Sequence, residues 1–417
     1  MEYPKQLSIF HPTGVVKGTI DLNRSKSISN RALIIQALCE DDIEITHLSD
    51  SDDSQTMQRL LAERPEVYDA HHAGTTYRFL TSFLAIAPGK HILTGSSRMK
   101  ERPIGELVEA LRRMGAQIQY IEKEGYPPLE ITGGEKKLSS EVTLSAGISS
   151  QYISSLMMIG PCLEGGLVIN LEGDLVSRPY LQMTVDIMRY FGAEVEWKDN
   201  SLHIGNKKYE AKPFSVEADW SAASYYYAIA ALSKEARITL KGLHADSLQG
   251  DAQIARMSEG LGITTTYGDD EITIEKQSDP NPFWEYDFIE QPDLAQSLAV
   301  MCGGLGVSGL FTGLQTLRIK ETDRIAALQT ELGKYGIFLS KIPPHMAKKS
   351  GTEYYMIDGN ATTNSDAVVQ TYRDHRMAMC MAPLGLLFPI KMDDPGVVSK
   401  SYPRFWEDLK SIGFVIK

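Results

Sequence analysis

With 417 residues and a formal net charge of −12, the chain exceeds one hydrophobic core, so two domains are expected. The acidic balance excludes a general nucleic-acid binder and makes any local cluster of cations informative. A content of 42% hydrophobic and 23% charged residues is ordinary for a globular protein, and no apolar run approaches the ~18 residues of a membrane span.

Taken in chain order, Met1-Glu2-Tyr3-Pro4-Lys5 lacks the charged and apolar regions of a secretory signal, so none is expected. Ser25-Lys26-Ser27-Ile28-Ser29-Asn30-Arg31 then places an ammonium, three hydroxyls and a guanidinium before the apolar run Ala32, Leu33, Ile34, Ile35, Ala37 and Leu38. This pattern predicts a helix with Ser or Asn near its N-cap. Free backbone N–H groups, the positive dipole end, hydroxyls and cations would together hold a small phosphorylated or carboxylated molecule. The alternative is a capped surface helix with solvated Lys26 and Arg31.

The chain repeats itself. Helical patterns open at Arg102-Pro103, Arg178-Pro179, Gly250-Asp251, Asp323-Arg324 and Tyr402-Pro403. They end at Gly115, Gly192, Gly262, Gly336 and Gly413, separated by 77, 70, 74 and 77 residues. Each copy reads as a polar cap, about three turns of amphipathic helix, a Gly suited to the left-handed position after a helix, and a strand. A sixth, shortened copy starts at Ser51-Asp52-Asp53, with no Gly and clean strand before Ala73-Gly74-Thr75. The period is too long for a solenoid. It predicts six α+β units, each of two helices and three or four strands, divided as two domains of three.

Charged and polar residues recur where each repeat's loop meets a helix: Lys100-Glu101-Arg102, Ser149-Ser150-Gln151, Ser177-Arg178, Arg318-Ile319-Lys320-Glu321-Thr322-Asp323-Arg324, Asp374-His375-Arg376 and Lys400-Ser401-Tyr402. If helical from Glu321, the fourth of these puts Lys320 and Arg324 on one face. Each alone reads equally as a cap or an exposed ion pair of little energetic consequence. Jointly they place Lys26, Arg31, Arg102, Lys320, Arg324, Arg376 and Lys400 at element starts, enough cations for two anionic substrates. Asp293, after Pro292 and before an apolar helix, is either an N-cap or a general base kept ionised by those cations.

Other chemistries lack their signatures. Cys39, Cys162, Cys302 and Cys380 form no C-x-x-C pair, which argues against zinc and a disulfide framework and suits a reducing cytoplasm. His71-His72 has no H-E-x-x-H context. Phosphate-loop, dinucleotide and acyl-serine motifs are absent, so no metal or cofactor is expected.

The segments Ser25–Leu33, Ser51-Asp52-Asp53, Ala73-Gly74-Thr75, Met99-Lys100-Glu101-Arg102-Pro103-Ile104-Gly105, Ser149-Ser150-Gln151, Gly173–Ser177, Pro292-Asp293, Arg318–Arg324 and Asp374-His375-Arg376-Met377 closely resemble the 5-enolpyruvylshikimate 3-phosphate synthase family, in order along essentially the whole chain. The resemblance implies an α/β fold of two similar domains, each three βαβαββ-type units around a pseudo-threefold axis. Residues 1–23 with 220–417 would form a discontinuous domain and 24–219 the other. The active site would lie in the inter-domain cleft, which ligand binding would close.

By position, the resemblance implies that Lys26, Ser27, Arg31, Ser149, Ser150, Gln151, Ser177, Asp293 and Lys320 contact shikimate 3-phosphate. Lys26, Gly74, Arg102, Gln151, Arg324, Arg376 and Lys400 would hold phosphoenolpyruvate. Asp293 would be the base for the 5-hydroxyl, with Glu321 and Lys26 managing the proton at the methylene carbon. The family further implies a cytoplasmic monomer of the shikimate pathway, without nucleic-acid or membrane partners, and Gly74 implies inhibition by glyphosate. His72 and Phe79 stand where Asn and Pro are more usual, Asn23-Arg24 replaces a Pro-Gly, and Thr316 replaces an Asn that often contacts substrate. The alternatives are the related enolpyruvyl transferase acting on UDP-N-acetylglucosamine, whose loop Cys has no counterpart in Ser96–Glu101, and a catalytically silent binding module of the same fold.

Overall fold

The computed structural model describes residues 3–134 and 137–417. The chain divides into two compact units, one of Met1–Asn23 with Glu217–Lys417 and one of Arg24–Val216.

The first unit carries three four-stranded sheets built on a common plan. In the sheet of Phe283–Asp287, Ser308–Thr312, Ile337–Lys341 and Tyr355–Gly359, the first two strands are parallel and the fourth lies between the second and third. A parallel pair cannot be joined by a tight turn and needs a crossover helix; here Ala295–Leu305 supplies it. A second helix, Arg324–Gly333, leads to the closing pair of strands. This βαβαββ order recurs in every four-stranded sheet of both units.

Two copies are completed by distant parts of the chain. Val15–Asp21 pairs in parallel with Glu235–Lys241, in register from Val15 against Glu235 to Asp21 against Lys241. The whole second unit is inserted between those strands. Gln6–Phe10 takes the fourth strand's place in the last sheet, between Ile390–Asp393 and Val415–Ile416.

The second unit holds two four-stranded sheets and one two-stranded sheet, Ile45–Thr46 with Phe214–Ser215. The two-stranded sheet belongs to the shortened repeat. Its second helix, Asp52–Glu63, ends on Arg64 in the left-handed conformation and passes directly to the next repeat's first strand, Val67–Asp69. The five full repeats instead end their second helices before Gly115, Gly192, Gly262, Gly336 and Gly413, all at positive φ, as the spacing predicts.

Each unit's core is made by three crossover helices. In the first unit these are Trp220–Leu232, Ala295–Leu305 and His375–Met381, which pack on one another. Every residue of Trp220–Leu232 except Ser221 is buried, and so is all of His375–Met381. A helix apolar on every side has no solvent face and must sit inside its domain. In the second unit Lys26–Leu38, Gly74–Ile86 and Ser150–Ile159 pack on one another in the same way.

Close approach of backbone fixes some of this packing. A Cβ on Gly133, at the end of the strand Leu129–Gly133, would fall far inside van der Waals contact with the carbonyl oxygens of Leu84 and Ala87. Neither oxygen can move without distorting the end of Gly74–Ile86. Gly133→Ala should therefore destabilise the second unit by about 2 kcal/mol or more, read as a lower denaturant midpoint; an unchanged midpoint would show that the helix end can yield.

Candidate active site

In the second unit the expected helix starts at Lys26, and Ser25 caps it by accepting a hydrogen bond from the Ile28 N–H. The other two crossover helices begin differently. Neither Gly74–Ile86 nor Ser150–Ile159 has a side-chain cap, so their first-turn N–H groups are left to other acceptors. The two starts are tied together by Gln151, whose Nε2 donates to Thr75 Oγ1 at 3.0 Å and whose Oε1 accepts from Arg78 Nη1 at 2.7 Å.

Arg31 is 2% exposed. Its guanidinium donates to Thr184 Oγ1 at 2.7 Å, Ser27 O at 2.8 Å, Ser154 Oγ at 3.2 Å and Tyr180 O at 3.3 Å, all neutral groups. Phe79, one of the departures from the family pattern, packs its ring 5.4 Å from this guanidinium. Burial pulls the Arg31 pKa down to about 10. A buried charge met only by neutral acceptors is costly, and an incoming anion would relieve that cost. Arg102 lies against Gly74, where a Cβ would collide with its Nη1. Lys26 Nζ lies 3.9 Å from Asp53 Oδ2. Ser177 adopts φ 56° ahead of Arg178–Tyr190, a conformation rare outside Gly.

The first unit gathers Asp293, Lys320, Glu321, Arg324, Arg376 and Lys400 into one ion-pair network. Arg324 is at its centre. It donates from Nη1 to Asp293 Oδ1 and from Nη2 to Glu321 Oε2, each at 2.9 Å, and from Nε to Asp374 Oδ2 at 2.7 Å. Arg376 Nη2 donates to Asp293 Oδ2 at 3.2 Å, and Lys320 Nζ lies 3.5 Å from Asp293 Oδ1. Lys400 Nζ donates to Glu321 Oε1 at 2.8 Å.

Three features of this network differ from the sequence reading. The helix begins at Arg324, not Glu321, because the Asp323 carboxylate caps it through the N–H groups of Ile325 and Ala326. Lys320 and Glu321 lie ahead of it, and Lys320 is extended. Asp293 sits inside the 3-10 turn Pro292–Leu294, the N-cap position of Ala295–Leu305 being Leu294, and its carboxylate pairs with the cations. Finally, the cations are matched by acids. Asp374, fully buried, caps His375–Met381 through the Arg376 N–H and also binds Arg324. Its capping position in Asp374-His375-Arg376 is the signal that marks it.

Burial alone would raise the Asp293 pKa, but the fields of Arg376, Lys320 and Arg324 outweigh it and hold the carboxyl well below its ordinary range. Arg324 is shifted upward despite burial, by Asp374, Glu321 and Asp293. Burial lowers Lys320, with Asp293 opposing. Among the described residues no group of three side chains could hold a metal ion, and no helix is long and apolar enough to cross a membrane.

The family model described as EPSP synthase (3-phosphoshikimate 1-carboxyvinyltransferase) matches residues 10–64 and 58–409. A 3-phosphoshikimate 1-carboxyvinyltransferase of Bacteroides fragilis is 48% identical over 405 residues, covering 96% of this chain and 97% of that protein. One from Vibrio atlanticus is 35% identical over 431 residues, covering 96% and 98%. The solved EPSP synthase of Acinetobacter baumannii superposes with a TM-score of 0.78 at 21% identity, over 99% of this chain and 100% of that one. The enolpyruvyl transferase NikO of Streptomyces tendae does so at 0.71 and 14%, over 99% and 98%; at these identities the likeness is one of fold. Ser25–Arg31, Met99–Gly105 and Arg318–Arg324 thus sit in a chain whose whole length carries the match: it is a transferase and belongs to the EPSP synthase family.

Proposed function

We propose that this enzyme transfers the enolpyruvyl group of phosphoenolpyruvate to the 5-hydroxyl of shikimate 3-phosphate, releasing inorganic phosphate. The observation that carries the reading is the carboxylate of Asp293, partly buried and placed against Lys320, Arg324 and Arg376. Anionic substrates would draw on those cations and leave the carboxylate able to take a proton from a neutral hydroxyl.

In this reading Arg31, Ser27, Ser149, Ser150, Gln151, Ser177 and Lys320 bind shikimate 3-phosphate, and Gly74, Arg102, Gln151, Arg324, Arg376 and Lys400 bind phosphoenolpyruvate. Lys26 serves both. The division into domains at residues 23 and 219 is part of the same reading, as is action as a cytoplasmic monomer.

The chemistry follows from the charges. Without ligands, three cations hold the Asp293 carboxylate down and make it a weak base. Substrate phosphate and carboxylate groups take up those cations, and the Asp293 pKa rises toward the range useful for proton transfer. Asp293 then removes the 5-hydroxyl proton as the oxygen bonds to the substituted enol carbon. Glu321 and Lys26 manage the proton that the methylene carbon gains. A tetrahedral intermediate results. Its carbon–oxygen bond to phosphate breaks as Glu321 and Lys26 take a proton back from the new methyl group, which restores the double bond. Fixed cations stabilise the developing charge without reorganising, and holding two anions together supplies the entropic part.

Coupled measurement of phosphate release from the two substrates tests the reaction, and release only with UDP-N-acetylglucosamine would replace it. Asp293→Asn should lower kcat by roughly 10²- to 10⁴-fold with both ligands still bound, as read by titration; full turnover in this variant would remove the base assignment. Gly74→Ala should push the Arg102 guanidinium aside and raise KM for phosphoenolpyruvate about tenfold, the loss expected for a charged hydrogen bond, with a smaller change for shikimate 3-phosphate. Glyphosate should inhibit the wild-type enzyme, and activity unmoved by a large excess would contradict the proposed shape around Gly74.

A further inference from the structure

Beside the network lies a second buried carboxylate that the reaction does not use. Asp251 is 3% exposed and stands in the 3-10 turn Gly250–Gln253. Its Oδ2 accepts a hydrogen bond from the Ser221 hydroxyl. Ser221 is the one residue of Trp220–Leu232 that is not buried, and its Oγ accepts from Arg376 Nη2 at 3.3 Å. The same Nη2 donates to Asp293 Oδ2, and Nη1 lies 3.5 Å from the Asp293 carbonyl oxygen.

We infer that Asp251 and Ser221 form a positioning relay that sets the orientation of Arg376 against Asp293 and so tunes the enzyme for the carboxylate of phosphoenolpyruvate. The inference rests on the proposed role of Arg376. A hydroxyl has a single proton and two lone pairs. While Asp251 is ionised it can only accept, so the Ser221 proton is committed to it and the lone pairs face the guanidinium. Once Asp251 is protonated, its own O–H can donate to Ser221. Ser221 then accepts from both Asp251 and Arg376, its own proton is no longer held by a carboxylate, and the orientation of its lone pairs toward the guanidinium is no longer fixed.

The charged groups acting on Asp251 from neighbouring elements are Asp293, Arg376 and Asp219. Burial lifts its carboxyl to about 6, with Asp293 and Asp219 adding to the rise and Arg376 and Ser221 opposing it. The carboxyl is therefore ionised at neutral pH and the relay is set, and it is lost as pH falls through about 6. A carboxyl whose pKa rises on folding costs stability when ionised. Its replacement by Asn should therefore not lower the melting temperature, whereas a merely structural Asp would.

The test is steady-state kinetics of Asp251→Asn, Ser221→Ala, Ser221→Thr and Arg376→Lys beside wild type, with melting temperatures. Asp251→Asn and Ser221→Ala should raise KM for phosphoenolpyruvate about tenfold at pH about 7.5, the loss expected for a charged hydrogen bond. KM for shikimate 3-phosphate and the melting temperature should hold, and Ser221→Thr, which keeps the hydroxyl, should stay near wild type. The ratio of the Asp251→Asn KM to the wild-type KM cancels the substrates' own titration. It should shrink toward one at pH about 5. A pH-independent ratio, an equal rise in both KM values with a lower melting temperature, or unchanged KM values while Arg376→Lys raises that for phosphoenolpyruvate would overturn the relay alone. Arg376→Lys without effect on phosphoenolpyruvate would overturn the role of Arg376 and the relay with it.

Discussion

Burial of three mutually packed helices in each unit is the constraint on which the rest depends. A helix buried on all sides still ends, and its first N–H groups need partners. In the first unit the starts of Trp220–Leu232, Ala295–Leu305 and His375–Met381 carry Asp219, Asp293 and Asp374, and bonds from Arg376 to both Ser221 and Asp293 tie these starts together. The repeat therefore brings polar chemistry to one end of each helix trio, while the sheets complete the core around the rest. Acids at those starts are favoured by the helix dipoles, and they in turn hold the cations.

The two units handle buried charge in different ways. In the first, Asp293, Glu321 and Asp374 answer Lys320, Arg324, Arg376 and Lys400. Removing one member of such a network leaves another charge stranded, which costs far more than an exposed ion pair. In the second, Arg31 is held by hydroxyls and carbonyls, and the starts at Gly74 and Ser150 lack side-chain caps. One unit presents acids that can move protons among fixed cations. The other presents donors and a cation awaiting an anion.

Much of this was legible in the residues. The glycines from Gly115 to Gly413 marked the repeat because each must take a positive φ that other residues resist. The shortened copy at Ser51 was visible as a missing Gly, and it corresponds to the unit's two-stranded sheet. Lys320, Arg324, Arg376 and Lys400 were visible as cations at element starts. Their acids were less so: Asp374 reads as a helix cap, and nothing local distinguishes a cap from a cap that also binds a distant guanidinium. The start of the helix at Arg324 is obscured in the sequence because Asp323 lies inside a run of charges that masks its capping role.

Local propensity, which acts over a few residues, thus determined the helices and the turns, the recurring glycines the repeat, and the matched motifs the family. Only the tertiary structure decided which charges meet. Arg324 lies 31 and 50 positions from Asp293 and Asp374, and Arg376 lies 155 from Ser221. Such pairings depend on how the helix starts are brought together, and so does the sign of each pKa shift, because the field at a carboxyl is the sum over neighbours that the chain order does not reveal.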